Sequence, residues 1–418
     1  MRVWLLKIGE PLPSDEGNPR LLRMGIIADM LVKHGHEVVW WTSTFNHAEK
    51  KLRATSHQTI KVNDRYTIKL IHALPYMKRI SWQRLLNHFL TGKRFAKLAL
   101  KEPVPDMILS AMPAITLSNE AVKYANKYGI PAVLDLRDMW PDIFYHRGPQ
   151  FVRPLVKLAC FPLRRMLSNA CKHATALFGI TNKFVQWGLA YGGRKAGQYD
   201  KAFPLAYFND EANGLVSEEM RHYWSQFGLQ QGDFIACFIG TFRSQMELDV
   251  VIETAKQLGS ACKFVLAGSG DNVAHYKKLA AGCGNIISPG WVKSEQIKSL
   301  MSIASVGLAP YKSTFDFMAS IPNKPVEYFS AGLPVVSSLK GELESLLAAR
   351  GCGVTYPNED PAALVMAIKK LMSDRGLLAD MAASAKATYK DCFVAEKVYS
   401  DMIAQLERIR ADRGKGSK

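Results

Sequence analysis

Short apolar runs separated by segments of helical period organise the chain from its first residues. Residues 2–8 are predicted to form a strand, followed by a long glycine- and proline-bearing loop at 9–20. Apolar residues at 22, 26, 27, 30 and 31 carry the helical period and predict a helix over 21–34. Gly35 ends that helix, and 37–41 read as the next strand, which makes a βαβ opening. Runs at 107–109, 132–136 and 176–180 repeat the pattern with helices between them, as in an open, mostly parallel sheet. Residues 208–233 are polar and weakly periodic, the signature of a linker. A second series follows, with strands at 234–239, 263–267, 286–287 and 306–308 and helices at 248–258, 272–281 and 294–302. Helices at 361–372, 377–389 and 394–409 close the chain. The pattern is α/β, two doubly wound domains in tandem: 1–207, 208–393, and a helix from 394 that crosses back to the first domain and ends in a basic tail. Ligands of such sheets sit beyond the carboxyl ends of the strands, so a central cleft is the expected site.

The stretch 320–338, Ser-Ile-Pro-Asn-Lys-Pro-Val-Glu-Tyr-Phe-Ser-Ala-Gly-Leu-Pro-Val-Val-Ser-Ser, reads as loop, short helix and buried strand. Pro322 suits a helix start, and Gly332-Leu333-Pro334 is a stop. Lys324 falls in the first turn, where a cation opposes the helix dipole unless an anionic ligand sits there. Glu327 lies three residues on, close to the same face. A cation for phosphate and a carboxylate for hydroxyls, with Asn323 beside them, form the pairing that a nucleotide-sugar requires. The plainer reading of Lys324 and Glu327 is a solvated ion pair.

Composition is that of a folded protein, with 48% hydrophobic and 22% charged residues in 418. The net charge of +17 is concentrated in the first half, where residues 1–200 hold 30 Lys and Arg against 14 Asp and Glu. Such a half attracts polyanions, whether nucleic acid or an anionic membrane surface. Two basic amphipathic stretches, 78–100 and 151–170, point to the membrane. In the first, Trp82, Leu85, Leu86, Phe89 and Leu90 share a face flanked by Lys78, Arg84, Lys93 and Arg94; ordinary packing on a sheet is the alternative. Seven cysteines without C-x-x-C spacing argue for a reducing compartment, and neither a signal peptide nor a membrane span is visible. A cytoplasmic protein peripheral to the inner face of the plasma membrane is expected.

Three further motifs end strands. Gly240, Thr241 and Arg243 follow the first strand of the second domain, where glycine lets a diphosphate approach the backbone and Arg243 forks onto its oxygens. Gly268-Ser269-Gly270 ends the next strand, a weak signal that by itself marks only a turn. In the first domain, Asp135 lies within a strand and needs a partner, while Arg137 and Asp138 follow at its carboxyl end. Asp138 is placed to accept a hydroxyl proton or to pair with Arg137. His34-Gly35-His36 reads as a helix end rather than a metal site. No Asp-x-Asp occurs, so neither a metal nor another cofactor is expected and side chains must meet the phosphate charge.

In this order the motifs resemble a family 4 glycosyltransferase of the GT-B fold, two Rossmann-like domains, and within it the bacterial L-fucosamine-transferase-like subgroup of surface-polysaccharide synthesis. The resemblance is carried by Gly17-Asn18-Pro19-Arg20, Gly35-His36-Glu37-Val38, Arg137-Asp138-Met139-Trp140-Pro141, Phe238-Ile239-Gly240-Thr241, Gly268-Ser269-Gly270, Pro322-Asn323-Lys324-Pro325-Val326-Glu327 and Gly332-Leu333-Pro334-Val335-Val336. It implies retaining, metal-independent transfer from a UDP-sugar, such as one of an N-acetylated amino or deoxy sugar, to a lipid-linked or growing oligosaccharide of capsule, O-antigen or exopolysaccharide. Glu327 then bonds the ribose, and Gly17, Asn18 and Arg20 close over the donor. The family's other carboxylate falls at Ala319, its clamp Arg and Lys at Thr241 and Met246, and its first-domain His at Arg137. The resemblance therefore leaves the diphosphate to Lys324 and Arg243, with Asp138 near the acceptor. Rival readings are a nucleotide-sugar 2-epimerase on the same fold and a non-enzymatic basic protein binding polyanions or membranes; nucleic acid is not the expected partner.

Overall fold

The structure, a computed structural model, describes residues 1–17, 19–78, 81–146, 149–208 and 222–415. Asn18 and residues 209–221, half of the polar 208–233 segment, lie outside the described residues. The chain divides into two units, Met1–Pro204 with Lys397–Lys418, and Leu205–Glu396.

In the first unit, strands β1 (Arg2–Leu6), β2 (Glu37–Ser43), β5 (Gln58–Asn63), β6 (Tyr66–Ile71), β7 (Met107–Ala111), β8 (Ala132–Leu136), β9 (Ala176–Gly179) and β10 (Lys201–Ala202) form one sheet. Their order is β10-β9-β8-β7-β1-β2-β6-β5. Every pairing is parallel except β5 with β6. β3 (Phe45–Asn46) and β4 (Lys51–Leu52) make a small antiparallel ribbon beside it. β1 is central because Val3, Trp4, Leu5 and Leu6 are all fully buried, the continuous apolar run of a strand covered on both faces. Trp4 meets Trp41 and Phe95 edge to face at 5.2 and 6.1 Å, which ties β1 and β2 to the helix Trp82–Leu98.

The β5–β6 hairpin was not legible in the sequence. β5 is almost wholly exposed, so Gln58, Lys61 and their neighbours carry no burial signal. Lys61, one of the first half's excess of basic residues, thereby lies on the edge of a sheet, where lysine discourages pairing with another chain.

Among the described residues the second unit's sheet has six strands, all parallel: β11 (Ile235–Thr241), β12 (Lys263–Ser269), β13 (Ile286–Gly290), β14 (Val306–Ala309), β15 (Val335–Ser337) and β16 (Gly353–Thr355). Their order is β13-β12-β11-β14-β15-β16. β11, β12 and β14 are buried over almost their whole length. Among the described residues no helix is long and apolar enough to cross a membrane.

Candidate functional site

The second unit's sheet ends in glycine. Gly240 of β11 lies beside Gly268 of β12 in parallel register. A Cβ on Gly268 would fall 1.8 Å from the carbonyl oxygen of Gly240, and φ there is +148°. A Cβ on Gly270 would fall 2.5 Å from the carbonyl oxygen of Phe242. Only glycine permits these approaches, and the result is a strand-end floor bare of side chains.

Lys324 lies over that floor. It stands in the first turn of the helix Asn323–Ser330, and a Cβ on Gly240 would fall 2.2 Å from its Cε and 3.0 Å from its Nζ. The reason is one turn further on. Tyr328 is four residues from Lys324 and so shares its face. Its hydroxyl accepts the Ile239 N–H at 3.1 Å and lies 3.3 Å from the Leu308 carbonyl, while its ring fills the space above Gly307. Fully buried, Tyr328 fixes the depth and rotation of the helix on β11 and β14, and the lysine follows.

Glu327 and Arg243 are half-buried on the same rim. The buried phenol of Tyr311 senses both: desolvation pushes its pKa up, Glu327 adds to this and Arg243 opposes it. Arg243 sits in a turn closed by the Met246 N–H on its own carbonyl at 2.9 Å. Met246 and Ala319, where the resemblance places a lysine and a carboxylate in other members, are buried apolar residues. Met246 is bridged to Tyr311. Thr241 ends β11 half-buried, and Asn323 is exposed at the helix start.

Beside Gly268 opens a cavity of about 210 Å³ lined by Phe242, Ser269, Tyr276, Lys277, Gly290 and Trp291. The Trp291 ring is 78% exposed on its wall. This pocket, of mixed polar and apolar lining, lies next to the bare strand end.

The first unit's strand ends are built differently. Asp135 on β8 is fully buried and accepts from Arg23 Nε and Nη2 at 3.1 and 3.2 Å and from Arg137 Nε at 2.6 Å. Burial opposes its charge, but Arg137 and Arg23 outweigh it and hold the carboxyl below its ordinary range. Arg137 Nη1 reaches Glu10 Oε1 at 2.6 Å, and Glu10 Oε2 accepts the Met24 N–H. Arg23 also donates to the Phe203 and Pro204 carbonyls. Arg137, expected in the first-domain site, thus engages Asp135 through Nε and Glu10 through Nη1, while its buried Nη2 has no hydrogen-bond partner among the described residues. Asp138 remains half-buried at the end of β8. Lys7, after β1, donates to the Met112 carbonyl at 2.9 Å and is pushed down to about 8, first by desolvation and then by Arg137.

Gly17 and Arg20 are exposed in a loop that Arg53 anchors, its guanidinium gripping Asp15 twice at 2.6 Å. Gly17 has φ of +78° and open space where a Cβ would stand. His36 bonds Glu407 at 2.8 Å and the chain's first amine at 3.3 Å, a structural post for the helix end at Gly35.

Residues 222–388 match the family described as glycosyl transferases group 1. Over 171 residues the chain is 28% identical to the amylovoran biosynthesis glycosyltransferase AmsK of Erwinia amylovora; the match covers 39% of this chain and 42% of that protein. Among solved structures, the sucrose-phosphate synthase of Thermosynechococcus elongatus superposes with a TM-score of 0.74 at 14% identity, covering 98% of this chain and 99% of that one. Anabaena HepE in complex with UDP-glucose gives 0.67 at 14% identity, covering 98% and 100%. At these identities the likeness shows the fold: α/β, two Rossmann-like units of the GT-B class.

The matched span holds every site residue named above in the second unit and none of those in the first. Two contributors escaped the sequence. Tyr328 was signalled only by its spacing of four from Lys324. Trp291 follows a glycine in a loop, and nothing in its neighbours marks it as a pocket wall.

Proposed function

We propose that the protein is a retaining glycosyltransferase of surface-polysaccharide synthesis. It takes a sugar from a UDP-sugar held by the second unit and passes it to a lipid-linked oligosaccharide. The observation that carries the reading is Lys324 laid across Gly240 at the bare end of a parallel sheet, within a span that matches a glycosyltransferase family.

The base enters the cavity walled by Trp291, the ribose hydroxyls bond Glu327, and the diphosphate lies on Gly240, Gly268 and Gly270 against Lys324 and Arg243. The helix start adds its N–H groups and its dipole. Fixed cations aimed at the leaving diphosphate lower the barrier without reorganising during reaction. The acceptor hydroxyl attacks the anomeric carbon from the face the diphosphate leaves, so configuration is kept, and its proton passes to the departing phosphate oxygen. The reading calls for no metal or other cofactor. Asp138 works near the acceptor. The L-fucosamine-transferase resemblance extends the donor to an amino or deoxy sugar. The basic amphipathic stretches at 78–100 and 151–170 set the protein against the inner face of the plasma membrane, where such an acceptor resides.

The test is transfer from a panel of UDP-sugars to a lipid-linked acceptor by wild type, Lys324→Ala and Glu327→Ala. Losing one preorganised donor of this kind typically costs about 10²–10³-fold in rate, so transfer by Lys324→Ala should drop by that factor with an unchanged melting temperature. Full transfer by either variant removes the site. Formation of an epimerised nucleotide-sugar without acceptor favours the rival enzyme, although the curated relative is a glycosyltransferase.

A further inference from the structure

The first unit carries an apolar groove that this mechanism does not use. Leu85, Leu86 and Phe89 of the helix Trp82–Leu98 form one wall. Ala159, Pro162 and Leu163, from the helices Arg153–Ala159 and Phe161–His173, form the other. The groove measures about 370 Å³, and its floor is Trp140, His88 and Pro113. The floor is buried, with Trp140 6% and His88 5% exposed, whereas Leu85 and Phe89 on the lips are 37% and 43% exposed. Apolar side chains so open to water, gathered along one concavity, mark a surface that something apolar covers.

The two helical walls themselves supply cations only, and of these Lys93 is paired with Glu120 of the neighbouring helix Ile115–Lys127 at 2.9 Å. Neither the helix Trp82–Leu98 nor residues 151–173 contain an Asp or a Glu. Arg84 stacks on the floor indole of Trp140 at 4.6 Å, and Lys93 lies over the Phe89 ring at 5.9 Å. The groove's inner end is thus a positive field: His88, stacked on Trp140 at 5.4 Å, is kept neutral by burial and then by Arg84, Lys7 and His47.

We propose that this groove binds the hydrocarbon chain of a lipid phosphate, with the phosphate at the Arg84 end. This rests on the reading of a lipid-linked acceptor and names the part of the acceptor that the first unit grips. A chain that reaches Trp140 and His88 has left the bilayer, since that floor lies below the exposed lips. A flat membrane contact covers the lips and leaves the floor empty. Cations at one end of an apolar slot select an amphiphile whose head is anionic, and disfavour a neutral one.

The probes are dodecyl phosphate, dodecyl maltoside and inorganic phosphate, titrated below micelle formation into the full chain while tryptophan fluorescence is followed. Dodecyl phosphate is expected to bind at least tenfold more tightly than either of the others. Ala159→Trp fills the groove from an exposed helix position and should weaken dodecyl phosphate at least tenfold, leaving UDP-glucose protection in thermal melts unchanged. Arg84→Gln should erase the preference for phosphate over maltoside. Wild-type affinity in Ala159→Trp, or equal binding of the two dodecyl compounds, overturns the proposal. So does binding to phosphatidylglycerol vesicles without binding of dodecyl phosphate, which assigns the face to a bilayer surface. Absence of UDP-sugar binding with dodecyl phosphate still bound removes the donor reading and leaves the groove.

Discussion

The two sheets end at their carboxyl edges in opposite ways. The first unit fills its edge with charge that neutralises itself: Arg23, Asp135, Arg137 and Glu10 form a chain of ion pairs at 2.6 to 3.1 Å, sealed from water. The second unit strips its edge to glycine and lays Lys324 across it. A buried network of paired charges holds a fold in one arrangement, because each member would be costly without the others. A bare backbone beneath a cation leaves room for an anion from outside. The same architecture ends in paired charges in one unit and in a bare edge under a cation in the other.

Removing one partner from the closed edge should have the largest effect. Asp135→Asn leaves Arg23 and Arg137 buried without their common counter-charge, a loss of about 3–5 kcal/mol. Denaturant unfolding measures it, and protection by UDP-sugar should persist. A loss under about 1 kcal/mol would show that this edge is not the clamp its geometry indicates.

Next in size is a pH effect at Lys7. Its pKa in the folded protein is lowered to about 8 from 10.5, so the folded state disfavours the proton. The penalty is full below pH 8, fades as pH rises and is gone above 10.5, so stability climbs through that window. The stability of wild type relative to Lys7→Met should therefore rise from pH 8 to 10.5 by up to about 3 kcal/mol. A flat difference would mean that Lys7 keeps its water.

The smallest effect is the sharpest on the open edge. In Gly240→Ala the new methyl meets only the flexible end of Lys324, which can swing away. Stability should change by less than about 1 kcal/mol, while UDP-sugar affinity falls about tenfold, a cost of about 1.4 kcal/mol. In Gly268→Ala the methyl meets the Gly240 carbonyl, which cannot move, and about 1–3 kcal/mol of stability should go as well. Equal behaviour of the two variants would break the contrast between a floor held by backbone and a lysine laid over it.

The alternating strands and helices were legible because strands buried on both faces, such as 234–239 and 263–267, write uninterrupted apolar runs. The β5–β6 hairpin was not, because Val62 of its outer strand is exposed and Ile60 only half-buried at the sheet edge, and they carry no burial signal. Lys324 stood out as a cation misplaced in a helix's first turn, and Gly240 and Gly268 as glycines at strand ends. For Arg137 the sequence shows that a charge lies at a strand end and not which way it turns.

The sequence by itself determined the α/β order, the parallel sheets and the residue types at the second unit's strand ends, because period, helix caps and glycine are local signals. Only the tertiary structure decided that Lys324 covers Gly240, that Arg137 turns inward to Asp135, and that two distant basic stretches wall a single groove. Each of these depends on which elements pack side by side, and that is set by long-range burial around anchors such as Tyr328 and Trp140, which no local window contains.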